Sequence, residues 1–169
     1  MPFPNLEGKQ AGRPYVTARR LLDYHQARGS ATTAAPRAVI LTWQGRLEQR
    51  VRERREYQEI HGAAIGSSAL LRLTPDLGLA RLPIGAPAAA IAVEELAARG
   101  TELFIGVGTA GAIDERLAVG DLVVCSAALR DEGTSHHYAP SEPFAVPDPG
   151  LTARLRAQLP GAVHGPSWT

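Results

Sequence analysis

At 169 residues, with a formal net charge of +1 and 44% hydrophobic residues, the chain fits one soluble globular domain able to bury a core. The balanced charge gives no footing for a nucleic-acid or membrane partner, no apolar run reaches the length of a bilayer span, and the N-terminus lacks the basic-then-apolar order of a signal peptide. A single cysteine, Cys125, excludes a disulfide framework and favours a reduced, cytoplasmic setting; lying in an apolar run, it is expected to be a small buried hydrophobe.

In chain order, residues 1–36 read as an N-terminal arm and 37–169 as the main domain. The arm carries a helix near Thr17 to Ala27, capped by Thr17, followed by a linker from Gly29 to Pro36. Ala38 to Leu41 is a β-branched run and the first core strand, ending at Thr42-Trp43-Gln44-Gly45-Arg46. Leu47 to Ile60 predicts a helix whose arginines and glutamates form a solvated face with local ion pairs. Gly62 to Thr74 and Leu77 to Ile84 read as two strands separated by the turn Pro75-Asp76. Pro87 suits the first position of a helix that Gly100 ends. This helix is apolar almost all round and is expected to lie buried across a sheet, with Glu95 and Arg99 paired one turn apart.

The stretch richest in chemistry follows. Leu103 to Val107 is too apolar for a half-exposed strand and suits a parallel sheet covered on both faces. Ligands of open α/β sheets collect where such strands end, and here the strand breaks into Gly108-Thr109-Ala110-Gly111. The glycines allow close approach of a ligand to backbone, and Thr109 adds a hydroxyl. Gly106, Gly108 and Gly111 also spell a dinucleotide-binding fingerprint, but that motif must open a helix, and Gly120-Asp121 already begins the next apolar run, Leu122 to Ala128. The two runs, Leu103–Val107 and Leu122–Ala128, are expected to be neighbouring buried strands. Arg130 to Pro140 is dense in charge, hydroxyls and histidine, and reads either as a site loop or as a solvated loop or subunit contact; His136 and His137 lack further ligands at zinc-like spacing. Asp148-Pro149 caps a last helix to Gln158, and Ala162 to Thr169 begins another strand or loop.

Gly85 to Leu96, Gly108 to Ile113, Val119-Gly120-Asp121 and Arg130 to Tyr138 resemble, in order and spacing, the nucleoside phosphorylases of the purine and uridine phosphorylase family. The resemblance implies an α/β three-layer sandwich around a mixed, barrel-like sheet, assembled as dimers or trimers of dimers. It implies phosphorolysis of a purine or pyrimidine nucleoside to free base and ribose 1-phosphate, with inorganic phosphate as co-substrate and no resident cofactor or metal. By the same resemblance Arg46, Gly108 and Thr109 would face phosphate, while Ala110, Gly111 and Trp168 would line the nucleobase side.

Departures from the family pattern are equally specific. Its first phosphate loop opens with glycine, an acid and proline, where this chain has Thr42-Trp43-Gln44, so a large side chain stands where backbone should meet phosphate. Gly106 occupies the place of an arginine in the uridine phosphorylase branch. The family's ribose-holding methionine and glutamate have no counterpart in residues 1–169, so the chain alone is expected to hold half a site. A nucleosidase, in which water replaces phosphate, and a non-catalytic oligomerisation partner are the competing readings.

Overall fold

The computed structural model describes residues 8–30, 33–60, 69–140 and 142–168. They form two compact units, Arg13–Thr109 and Ala110–Thr169 with Met1–Gly12.

The first unit is built on β1 (Ala38–Thr42), the run Ala-Val-Ile-Leu-Thr whose branched side chains favour the extended backbone. It is hydrogen-bonded on both edges by parallel strands, β4 (Leu77–Arg81) on one side and β5 (Leu103–Val107) on the other. β3 (Leu70–Arg72) pairs antiparallel with β4, and β2 (Gln58–Ile60) antiparallel with β3, giving the open order β2-β3-β4-β1-β5. Helix α3 (Ala86–Ala98) supplies Ala92 and Leu96 to a core with Val39, Leu41, Ile60, Leu70, Ala80 and Leu82. Helix α1 (Ala18–Ala27) packs against α3. Its cap is the expected one: Thr17 Oγ1 accepts from the Arg20 amide at 3.2 Å. Gly100, with φ +108°, sits just beyond α3 in the left-handed region where a side chain would be strained.

Three expectations are corrected in this unit. Helix α2 (Gly45–Arg54) stops well short of Ile60, because Gln58–Ile60 pairs with β3 as a strand. Its charged face is as read, with Arg52 bonded to Glu48 and Glu59 and Gln49 to Glu53. Helix α3 is buried along one stripe only: Ile91 is 62% exposed, since a period of 3.6 turns part of an all-apolar helix to solvent. The inward stripe carries Glu95, whose carboxylate takes Arg99 at 3.0 Å with both side chains nearly buried. β5 is not covered on both faces, for Gly106 and Val107 are exposed. Residues 62–68 of the strand expected from Gly62 lie outside the described residues.

In the second unit β6 (Val123–Leu129) is central, with β7 (Phe144–Ala145) antiparallel on one edge and β8 (Val163–Trp168) parallel on the other. The expected pairing of Leu103–Val107 with the Leu122 run is therefore not made: β5 bonds to β1, and β6 to β7 and β8. Nor is that run buried throughout, since Val124 is buried but Val123 is exposed. Cys125 is exposed as well, not buried, lying in register with Gly165, which has no side chain to cover it. Helix α4 (Pro149–Gln158) packs on β6, and Asp148 Oδ1 caps it by accepting from the Leu151 amide at 2.7 Å. Among the described residues the two sheets have five and three strands and neither closes into a barrel.

Two ion pairs of the first unit differ mainly in burial, which sets their worth. Glu95→Ala leaves a buried guanidinium without its carboxylate and is expected to cost about 3 kcal/mol of unfolding free energy in urea. Glu102→Ala breaks the exposed pair with Arg37, 3.6 Å long, and should cost about 0.5 kcal/mol or less. Equal losses would contradict the buried-pair assignment.

Candidate functional site

Parallel neighbours end at the same edge of a sheet, so the β1–β5 register, Thr42 opposite Val107, brings two connections together. From β1 come Trp43 and Gln44, then α2; from β5 come Gly108 and Thr109. This is the crevice position at which α/β sheets take ligands. Arg46 is the second residue of α2 and exposed, as are Gly108 and Thr109, so these three sequence-selected residues share one edge of the sheet. The α2 N-terminus has no side-chain cap, and Leu47 and Glu48 donate back to the Gln44 carbonyl, so the positive end of the helix dipole lies at this edge.

Two further residues reach the same edge without having been singled out in the sequence as binding groups. Arg81 ends β4, opposite Thr42, and its guanidinium meets the Glu48 carboxylate at 3.2 Å. Its Nη1 lies 3.0 Å from where a Cβ on Gly45 would stand, so the guanidinium passes close over the helix start. The second is Trp43. A Cβ on Gly106 would be 3.8 Å from two of its ring carbons, and one on Gly108 would be 3.6 Å from a third. The indole therefore lies along the bare face of the β5 end. The signal was in the sequence, two glycines two apart on a strand and a large aromatic just beyond the neighbouring strand, but their contact depends on the register.

In the second unit Ala110 and Gly111 are exposed at the start of an irregular segment that runs to Leu122. It contains no helix, which removes the dinucleotide-binding reading. Val119-Gly120-Asp121 forms the expected turn: the Asp121 amide donates to the Ala118 carbonyl and its carboxylate accepts from the Ala118 amide at 2.8 Å. Trp168 stands opposite Leu129 at the end of β8, 60% exposed, its indole N–H bonded to Asp131 Oδ2 at 3.0 Å.

The polar loop after β6 is organised from within. Arg130 is 9% exposed and donates to Ser135 Oγ and to the carbonyls of Ala139, Pro140 and Glu142. It also faces His136 Nδ1 at 3.4 Å, which makes that nitrogen the acceptor and leaves Nε2–H to donate to the Arg130 carbonyl. Gln10 adds bonds to the carbonyls of His136 and Ala139. These guanidinium donors tie the loop together and are spent on its own carbonyls. Glu132 accepts from the amides of Thr134 and Ser135 at 2.7–3.1 Å. Partial burial raises its carboxyl, but these bonds from Ser135 and Thr134 outweigh it and hold Glu132 below the ordinary glutamate range. Among the described residues no three His, Cys, Asp or Glu side chains gather as a metal site would require, and no helix is long and apolar enough to cross a membrane.

The comparisons with known proteins agree on one family. Residues 36–169 match the family described as the phosphorylase superfamily. The chain is 42% identical over 98 residues to a guanosine phosphorylase of Halorubrum lacusprofundi, covering 58% of this chain and 37% of that protein. It is 50% identical over 72 residues to a uridine phosphorylase of Thermococcus kodakarensis, covering 43% of this chain and 26% of that protein. A purine nucleoside phosphorylase of Toxoplasma gondii, solved with immucillin-H, superposes with a TM-score of 0.68 at 26% identity, over 80% of this chain and 57% of that one. A uridine phosphorylase structure from Vibrio fischeri, 24% identical, shares the fold with a TM-score of 0.66 over 80% of this chain and 58% of that one. The chain thus spans about a quarter to three-fifths of the length of these relatives. It belongs to the purine and uridine phosphorylase family.

The Glu132 bonds carry a pH signature. A carboxyl held below its ordinary value stabilises the fold fully above that value, about 4.3, and the contribution is lost as pH falls through the lowered one. Exchange protection of the Thr134 and Ser135 amides should be level at neutral pH and fall only in acid below about 4.3. Glu132→Gln should remove that acid step in amide NMR; a step near neutrality would contradict the assignment.

Proposed function

We propose that this chain contributes the phosphate side of a nucleoside phosphorylase site, acting on a purine or pyrimidine nucleoside. The observation that carries the reading is the shared edge of β1 and β5, where Arg46, the Gly108 backbone and the Thr109 hydroxyl stand in a member of this family. Phosphate held there would use charge-assisted hydrogen bonds from guanidinium, amide and hydroxyl groups. In the reaction the C1′–N bond breaks and its electron pair leaves with the base, while a phosphate oxygen bonds to C1′ and gives ribose 1-phosphate. The protein's part is to position phosphate against the sugar and to stabilise charge as the bond loosens.

Ala110, Gly111 and Trp168 are proposed for the nucleobase side. The complete site, the three-layer sandwich with a barrel-like sheet, a homo-oligomer and a cytoplasmic location belong to the same reading, supported by family membership. A second reading, hydrolysis, is favoured by one observation: the Trp43 ring lies on the glycine face that phosphate would approach, and water is a smaller, neutral nucleophile.

The test incubates the protein with uridine and with guanosine, with and without inorganic phosphate. For residues 1–169 alone, which hold the phosphate side, phosphate binding without base release is the expected outcome; phosphate-dependent release would make the site more complete than proposed, and release without phosphate would replace phosphorolysis with hydrolysis. Thr109→Val should weaken phosphate binding about tenfold, the worth of one hydrogen bond to a charged group. Unchanged affinity, read by calorimetry, would remove Thr109 from the site.

A further inference from the structure

Gly106 and Gly108 are two residues apart on a strand end and so present the same face. Beyond that face lies the indole of Trp43, whose ring carbons stand 3.8 Å from a Cβ built on Gly106 and 3.6 Å from one built on Gly108. The main chain beneath this side chain is held from both ends. Thr42 is fully buried and its Oγ1 accepts from the Gln44 amide at 3.2 Å, while α2 begins at Gly45. Trp43 as a whole is 37% exposed. It is a rigid plate on a fixed stem, seated on two residues that have no side chain of their own.

An oxyanion that uses this glycine face must bring its oxygens to backbone, and the ring leaves there only about the depth of a methyl group, too little for a tetrahedral anion. We propose that Trp43 is a steric lid over Gly106 and Gly108: inorganic phosphate reaches this edge only by displacing the ring, whereas water, being smaller, passes it. Trp43 thereby sets the affinity for phosphate and the balance between phosphate and water as the group that takes C1′. This inference rests on the nucleoside-cleaving reading above, and deepens it by naming the residue that selects the nucleophile.

The experiment measures inorganic phosphate affinity by calorimetry and ³¹P line broadening in the full chain, for wild type, Trp43→Phe and Trp43→Ala. Base release from uridine and guanosine is followed in the same samples with and without phosphate. Removing the ring should tighten phosphate binding about tenfold, and the smaller Phe ring should give an intermediate gain of about threefold, corresponding to successive parts of one steric barrier. If Trp43→Ala does not fold, as judged by circular dichroism and melting, the gain in Trp43→Phe decides. Phosphate affinity equal to or below that of wild type in the folded variants, including no binding in any of them, overturns the lid. The functional reading fails separately. Phosphate-dependent release by wild type with no gain on removing Trp43 sinks the lid and keeps the phosphorylase. A gain in phosphate affinity with neither binding of uridine or guanosine, read by calorimetry, nor base release in any protein keeps the lid and sinks the enzyme reading.

Discussion

β1 is bonded along its whole length on both edges, residue for residue from Ala38 to Thr42, by β4 and β5 running in the same direction. That arrangement fixes which chain ends meet. Because all three strands point the same way, their last residues, Thr42, Arg81 and Val107, lie side by side, and whatever follows them in sequence is delivered to one edge. Trp43, the start of α2 and the Gly108-Thr109 loop are brought together by backbone hydrogen bonds, not by any attraction among their side chains. A one-residue slip between β1 and β5 would turn the glycines to the other face and remove their contact with the indole.

The arginines of this protein serve two purposes that composition cannot separate. Arg99 is folded against Glu95 and the Thr33 carbonyl, Arg130 is enclosed by the carbonyls of its own loop, and Arg52 bridges two glutamates. In each case several directed donors on a plane hold segments together, which a lysine could not do with a single point charge. Arg46 differs in standing exposed in the first turn of a helix, where its charge gains nothing from the dipole. A cation at such a position is the one to ask about when an anion is sought.

Local signals in the sequence carried much of this fold. Thr17, Asp148 and Pro87 marked helix starts because capping and a fixed φ act within a few residues, and the β-branched run at Ala38 marked the central strand. Non-local facts were less legible. The charge pattern of α2 continues past Arg54 with no breaker, so only pairing with β3 reveals that Gln58–Ile60 is a strand. Periodicity does not say which strands are neighbours, so consecutive apolar runs were paired when β5 and β6 in fact belong to different sheets. The apolar neighbours of Cys125 suggest burial, but its face of β6 is open to solvent, as the exposure of Val123 on the same face also shows. The candidate edge was found from Gly108 and Thr109, but Trp43 read only as a departure from a pattern, since its position over the glycines is a product of sheet register.

The loop after β6 has a consequence of a kinetic kind. Arg130, Glu132, His136 and Gln10 close it with bonds drawn from its own residues and from the chain's first segment, so its form does not wait for a ligand. A loop ordered on binding charges the encounter with its lost conformational freedom, about 1–2 kcal/mol for each residue fixed. Here that ordering is completed during folding. A molecule docking at this surface would meet a finished shape, and its rate would be set by diffusion and fit instead of by loop closure.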